Sequence, residues 1–233
     1  MYRGIYEGAT GLTYAERLYE VTAHNLANLR VSGHRARKFT VSASSPGTGS
    51  QSAESQASVR VSFEPGPIER TGEPTHVAIK GDGFFVIEGP TGELYTRSGA
   101  FRLNARGELE LADGYRVVGA GGPIVVPPGG GPIRIGPDGQ VTSGGAPVGR
   151  IRVVRFDDPH RLKPVTANLF EAPAGVTPND VPNPELIPGA IEGSNVNPVL
   201  ELLNLIIASR FYEASFRSLK TMADFVETAS SAM

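Results

Sequence analysis

The sequence predicts an α+β chain in which N- and C-terminal α-helices pair as a terminal coiled coil and an all-β barrel or sandwich domain is inserted between them. Two observations carry the prediction. Apolar and small residues recur at alternating steps of three and four at both ends of the chain. Glycine and proline, 29 and 19 of the 233 residues, fall almost entirely between residues 46 and 193. Uninterrupted helix at the ends and turn-rich β structure in the middle follow from that asymmetry.

At the C-terminal end the seam is Leu202, Leu205, Ser209, Tyr212, Phe216, Leu219, Ala223 and Val226, widened by Ile206, Met222 and Phe225. Asn197 is placed to cap the first free amides, and Pro198 suits the first helical position because its φ is already fixed. No Gly or Pro interrupts Val199 to Met233, and Glu213 precedes Arg217 by one turn. A helix of roughly 35 residues is about 50 Å long. Such a rod cannot bury a seam against itself and needs a partner.

The same spacing at the N-terminus supplies one: Ile5, Gly8, Leu12, Ala15, Tyr19, Thr22, Leu26 and Leu29, with the helix ending near Gly33. Gly4, Gly8 and Gly11 each lower helix propensity by roughly 1 kcal/mol relative to Ala. They also permit close approach of a neighbouring chain.

Between the helices, Phe39 to Ser42 alternates like a strand, Ser44 to Ser58 reads as a flexible loop or linker, and Val59 to Phe63 alternates again. From His76 onward, short alternating runs separated by Gly, Pro, Asn and Asp turns predict strands near 76–79, 84–87, 94–97, 101–103, 109–111, 115–118, 124–126, 133–135, 140–142 and 148–156. The expected division is a helical domain of 1–38 and 194–233, an extended linker or β-hairpin region of 39–74, and a β domain of 75–193.

Chemistry is sparse. His24, His34, His76 and His160 fall in four segments without metal-ligand spacing, and Gly81-x-Gly83 leads into a strand rather than a helix. Gly129 to Gly131 lacks the Lys-Ser/Thr of a phosphate loop, Asp157-Asp158 reads as a turn, and no serine sits in a nucleophile elbow. The sequence therefore predicts no enzyme, no cofactor and no metal. A net charge of −2 gives no case for nucleic acid, and Arg35, Arg37 and Lys38 read as a solvated basic turn. There is no cysteine. No apolar run is long enough for membrane insertion, and no cleaved signal peptide is expected.

Three stretches resemble the flagellar basal-body rod and hook proteins. Asn25 to Gly33, with Asn25, Ala27 and Asn28, is similar to their Asn-x-Ala-Asn signature. Val77 to Val86, with Gly81, Gly83 and Phe84, followed by Tyr95 to Phe101, looks like the start of their shared β domain. Glu192 to Val199, with Asn195, Val196 and Pro198, followed by Arg210 to Ala214, looks like the entry to their C-terminal helix. The resemblance spans essentially the whole chain. His34 departs from it, standing where the family commonly has an aromatic residue. Within the family, the short length and Ala146 to Arg150 look most like the proximal rod component next to the distal rod, while the distal rod protein is similar in the same motifs.

The resemblance implies a structural subunit that polymerises through its terminal helices into the axial drive shaft. Its implied partners are other copies, neighbouring rod proteins and the flagellar export apparatus, and its implied place is the periplasmic rod of the basal body. A reading of a different class, a secreted oligomeric β-domain binding module, predicts the same fold and differs by requiring a pocket with convergent polar groups on the β domain.

Overall fold

The computed structural model of the chain describes residues 2–43, 55–90 and 92–231, and the side chains of 8–42, 57–90 and 92–224. It is α+β, with a helix at each end and a β-rich region between. Its residues form two compact units. The first takes the described residues of Met1–Ala27, Arg37–Val61 and Val196–Met233; the second takes Asn28–Ala36 and Ser62–Asn195. The hairpin of the expected 39–74 region thus lies with the helices, and 28–36 lies with the β unit.

The first unit contains α1 (Tyr2–Ala27), β1 (Arg37–Ala43), β2 (Ser55–Val61) and α2 (Pro198–Ser231). Asn197 caps α2 as expected: its Oδ1 accepts from the amides of Val199 at 3.0 Å and Leu200 at 3.2 Å. The helices run antiparallel. A Cβ built on Gly8 would lie 2.8 Å from Leu219 Cδ2, one on Gly11 would lie 3.0 Å from Ser215 Oγ, and Asn25 bonds Glu201 near the opposite ends. The two glycines therefore serve close approach between helices of one chain. β1 and β2 pair antiparallel from Arg37↔Val61 to Ala43↔Ser55. The part of the expected linker at 55–58 is thus strand, because the ladder offered by β1 satisfies its backbone despite its Ser, Gln and Ala content. Residues 44–54 lie outside the described residues.

α1 ends at Ala27, not near Gly33. Beyond it the chain turns, with the Val31 amide donating to Asn28 O and the Gly33 amide to Glu192 O at 2.8 Å. Leu29 is consequently off the helix. Gly33 holds φ +70°, and a Cβ there would lie 2.3 Å from the Ser98 amide nitrogen, so both conformation and space require glycine.

The second unit is built on a ten-stranded sheet whose main path runs Lys163–Pro164, Leu169–Glu171, Glu93–Thr96, Phe84–Glu88, Arg116–Gly119, Leu109–Glu110, Arg102–Leu103. The path is open and does not close into the expected barrel. A three-stranded meander (Ile133–Ile135, Gln140–Ser143, Ala146–Arg150) and the pairs Leu186–Pro188 with Val77–Ile79 and Ala190–Glu192 with Ile68–Arg70 complete the unit. Phe85, Ile87, Phe101, Leu109, Val117 and Leu169 anchor the core. The strand expected at 124–126 is irregular. Ile124 and Val126 still point inward and Val125 outward, but the regular pairing shifts to Gly122–Pro123, next to Arg116–Gly119.

Tyr95 packs edge-on against Phe156 at 4.8 Å between ring centres and donates its hydroxyl to Glu93 Oε2 at 3.1 Å. Burial, then the Glu93 charge, push its phenol up to about 12. The fold keeps a proton that the unfolded chain loses near pH 10, so this contribution to stability is complete below about pH 10 and is lost as pH rises toward 12. A tyrosinate absorbance titration of Tyr95→Phe against the parent should remove one residue's amplitude from the most alkaline part of the curve. Loss of amplitude near the ordinary tyrosine range would contradict the assignment.

Candidate functional site

The helix faces come first. On α1, Ala15 and Thr22 are buried and Leu12 and Leu26 half-buried, whereas Tyr19 is 51% exposed and Leu18 lies closer in. On α2, Leu205 and Leu219 are half-buried, but Leu202, Ser209, Phe216 and Ala223 are all exposed and Tyr212 is 40% exposed. The residue one earlier in each heptad takes the inward place: Glu201, Ala208, Ser215 and Met222 are buried or half-buried. The face that packs on α1 is thus rotated from the predicted seam, because Ala208 and Ser215 are small enough to let the helices close. Large apolar side chains remain outside: Val199, Leu203, Ile206 and Phe216 are 52–72% exposed. The side chains of Ile5 and Val226 lie outside the described residues.

Asn25 ties the helical unit together. It is 1% exposed; its Nδ2 donates to Arg37 O and to Glu201 Oε1, both at 2.8 Å, and its Oδ1 accepts from the Arg37 amide at 2.9 Å. One amide therefore joins α1 to the first residue of β1 and to the start of α2. Neighbouring His24 is held below its ordinary imidazole pKa by burial and by the Arg37 charge. Ala27 is exposed at the end of α1, and Asn28 begins the turn.

In the β unit the motif residues surround a buried ionic clamp. Glu192 is 1% exposed, and each of its oxygens is used twice. Oε1 accepts from Arg35 Nη2 at 2.6 Å and the Gly66 amide at 2.9 Å; Oε2 accepts from Arg97 Nε at 2.8 Å and has Arg97 Nη2 beside it as an ion-pair contact at 2.7 Å. Arg97 Nη1 also donates to Gly81 O at 2.8 Å and Gly83 O at 2.7 Å, which fixes the turn before Phe84. Gly81 holds φ +90° in that turn, and Gly83 packs under Val153. Phe84 is buried edge-on against Phe63, Phe156 and Phe170. Asn195 is a second staple: Oδ1 accepts from the Ala36 amide at 2.6 Å, and Nδ2 donates to Ser62 O and Glu64 O at 3.0 and 2.9 Å. Within α2's unit, Val196 is buried and Pro198 is the first helical residue.

Arg35 corrects the expectation of a solvated turn. It is 3% exposed, and burial pushes its pKa down, against the opposing pull of Glu192. Sequence reasoning also passed over Arg97 and Glu192. The available signal was that both lie inside the motif stretches, where a charged residue between apolar strands asks for a partner. His34 is buried as well, its Nδ1 donating to Ala167 O at 2.6 Å. Among the described residues no His, Asp or Glu group is placed to hold a metal ion, and no helix is long and apolar enough to cross a membrane.

Paired helices that leave an apolar face outward, carried on one chain with a β unit, define a subunit built for assembly. Residues 78–143 match the family model described as the flagellar hook protein FlgE/F/G D1 domain, and residues 187–232 match the flagellar basal body rod FlgEFG protein C-terminal model. The chain is 34% identical to the flagellar basal-body rod protein FlgF of Mesorhizobium japonicum, over 99% of this chain and 95% of that one. It is 31% identical to FlgF of Caulobacter vibrioides (98% and 97% covered) and 32% identical to the rod protein FlgG of Agrobacterium fabrum (98% of each). The chain belongs to the flagellar basal-body rod protein family.

Proposed function

We propose that the chain is a structural subunit of the proximal flagellar rod, in the basal body, and performs no chemistry. It polymerises through α1 and α2 with other copies and neighbouring rod proteins into the axial drive shaft, after passing through the flagellar export apparatus. The observation that carries this reading is the apolar face of α2 left outward after α1 has packed: Leu202 and Phe216, on the predicted seam, are each 53% exposed. In the rod that face completes a coiled coil with neighbouring subunits, each Leu- or Phe-sized side chain contributing roughly 1.5–3 kcal/mol on burial. A head-to-tail contact that does not close extends such subunits into a helical array. The identity to two FlgF relatives supports the proximal position.

The test is Phe216→Asp in a strain that lacks the native gene. Because Phe216 faces outward, the isolated variant should melt like the parent, while swimming is lost and rods stop short in electron micrographs. Normal swimming and complete rods would overturn the proposal.

A further inference from the structure

In the helical unit, β1 and β2 are seven residues each and form a sheet of their own, with no third strand among the described residues. A two-stranded ribbon is marginal by itself and depends on what covers it. The outer edge of β1 is covered by α1. Asn25 takes both the N–H and the C=O of Arg37, and Tyr14 meets the ring of Phe39 edge-on at 6.2 Å. Arg37 therefore points its main-chain groups away from β2. In an antiparallel ladder the bonded and unbonded pairs alternate, so Phe39 and Val41 point theirs the same way. The residues opposite these three, Val61, Val59 and Ala57, then point theirs out on the far side of β2. Among the described residues no hydrogen bond from another element reaches the main chain of Ala57, Val59 or Val61.

The β unit shortens or interrupts its own edges: the outer strands Lys163–Pro164 and Arg102–Leu103 have two residues each, and Ala146–Arg150 carries a proline. β2 has neither device. Its two faces also differ. Phe39, Val41, Val59 and Val61 share one face, where Val41 and Val59 are 48% and 46% exposed. On the other face Arg60 stands directly opposite Lys38, and like charges so placed oppose the pairing. A strand added antiparallel to β2 bonds through Val59 and Val61, which leaves Arg60 in a close, unbonded pair where cross-strand side chains meet most directly.

We propose that the outer edge of β2 takes a third strand from a neighbouring chain, with apolar residues opposite Val59 and Val61 and an acidic residue between them, opposite Arg60. The added main chain completes the ladder, and the carboxylate offsets the Lys38–Arg60 repulsion. That the neighbour is a rod subunit rests on the function proposed above; the chemistry of the strand rests on the hairpin alone.

The test uses the full-length protein and the peptide acetyl-Thr-Val-Glu-Val-Thr-amide, followed by amide NMR. The peptide should shift Ala57, Val59 and Val61 saturably and slow the exchange of their amides. N-methylation of both peptide valines should abolish binding, and a lysine in place of the glutamate should weaken it roughly tenfold. Arg60→Glu should reverse that order. Shifts that map elsewhere, no shift at all, undiminished binding of the N-methylated peptide, or an unchanged order in Arg60→Glu would each overturn the assignment. Val59→Pro removes an outward amide and leaves the β1–β2 bonds in place, so it should melt like the parent, lose the peptide and, in cells, lose swimming. Loss of the peptide with normal swimming would overturn the rod neighbour alone and leave the strand site standing.

Discussion

Glu192→Ala should destabilise the β unit by about 3–5 kcal/mol, the usual cost of removing one partner from a buried ion pair. The reason is what is left behind. Arg35 and Arg97 are each 97% buried, and without Glu192 two like charges face each other with little water to screen them. The Gly66 amide loses its acceptor as well. Glu192→Gln should cost less than the alanine change, because it keeps the volume and one acceptor oxygen while still losing the charge. Urea denaturation followed by near-ultraviolet circular dichroism measures both. An alanine variant within about 1 kcal/mol of the parent would mean that the clamp contributes little, as exposed ion pairs do.

Asn25→Asp should destabilise the helical unit by about 3 kcal/mol or more. The change keeps size and shape but removes both Nδ2 donors, so Arg37 O is left without this partner in a partly buried place, at about 1–3 kcal/mol. It also sets a new carboxylate against Glu201, which the amide had bonded at 2.8 Å, and like charges at that distance repel. The acceptor half of the staple survives, since the Arg37 amide still finds an oxygen. Measured against the parent at each pH, the deficit should shrink in acid, where the introduced carboxyl is protonated and donates again. A deficit that does not change with pH would assign the loss to packing rather than to the hydrogen bonds.

Much of this fold is legible in the sequence where one local rule decides. Asn197 followed by Pro198 marks the start of α2, and the alternating runs around Phe84 to Ile87 and Gln140 to Thr142 mark strands. Legibility fails where two faces satisfy the same rule. Val199 to Ile207 is apolar at nearly every position, so spacing alone cannot say which side meets α1. The choice falls to small residues: Ser215 lies against Gly11 of α1, and Ala208 is 1% exposed. Strands from Ser55 to Ser58 were hidden for another reason: their polar composition describes a linker until β1 is known to lie beside them. Sheet closure was equally out of reach, because strand order is not a local property. Arg35, read within its basic neighbourhood, looks solvated; its partner lies 157 residues away.

That separation bears on the order in which the molecule can complete itself. Arg35 cannot be neutralised, nor Gly33 find its acceptor, until Glu192 exists alongside them. A chain that emerges one residue at a time therefore carries more than four-fifths of its length before its β body can lock, since loops of that size close late and slowly. Only the final segment, mostly α2, remains to be added after the lock is available. The β body is in this sense fastened by residues that come late in the chain.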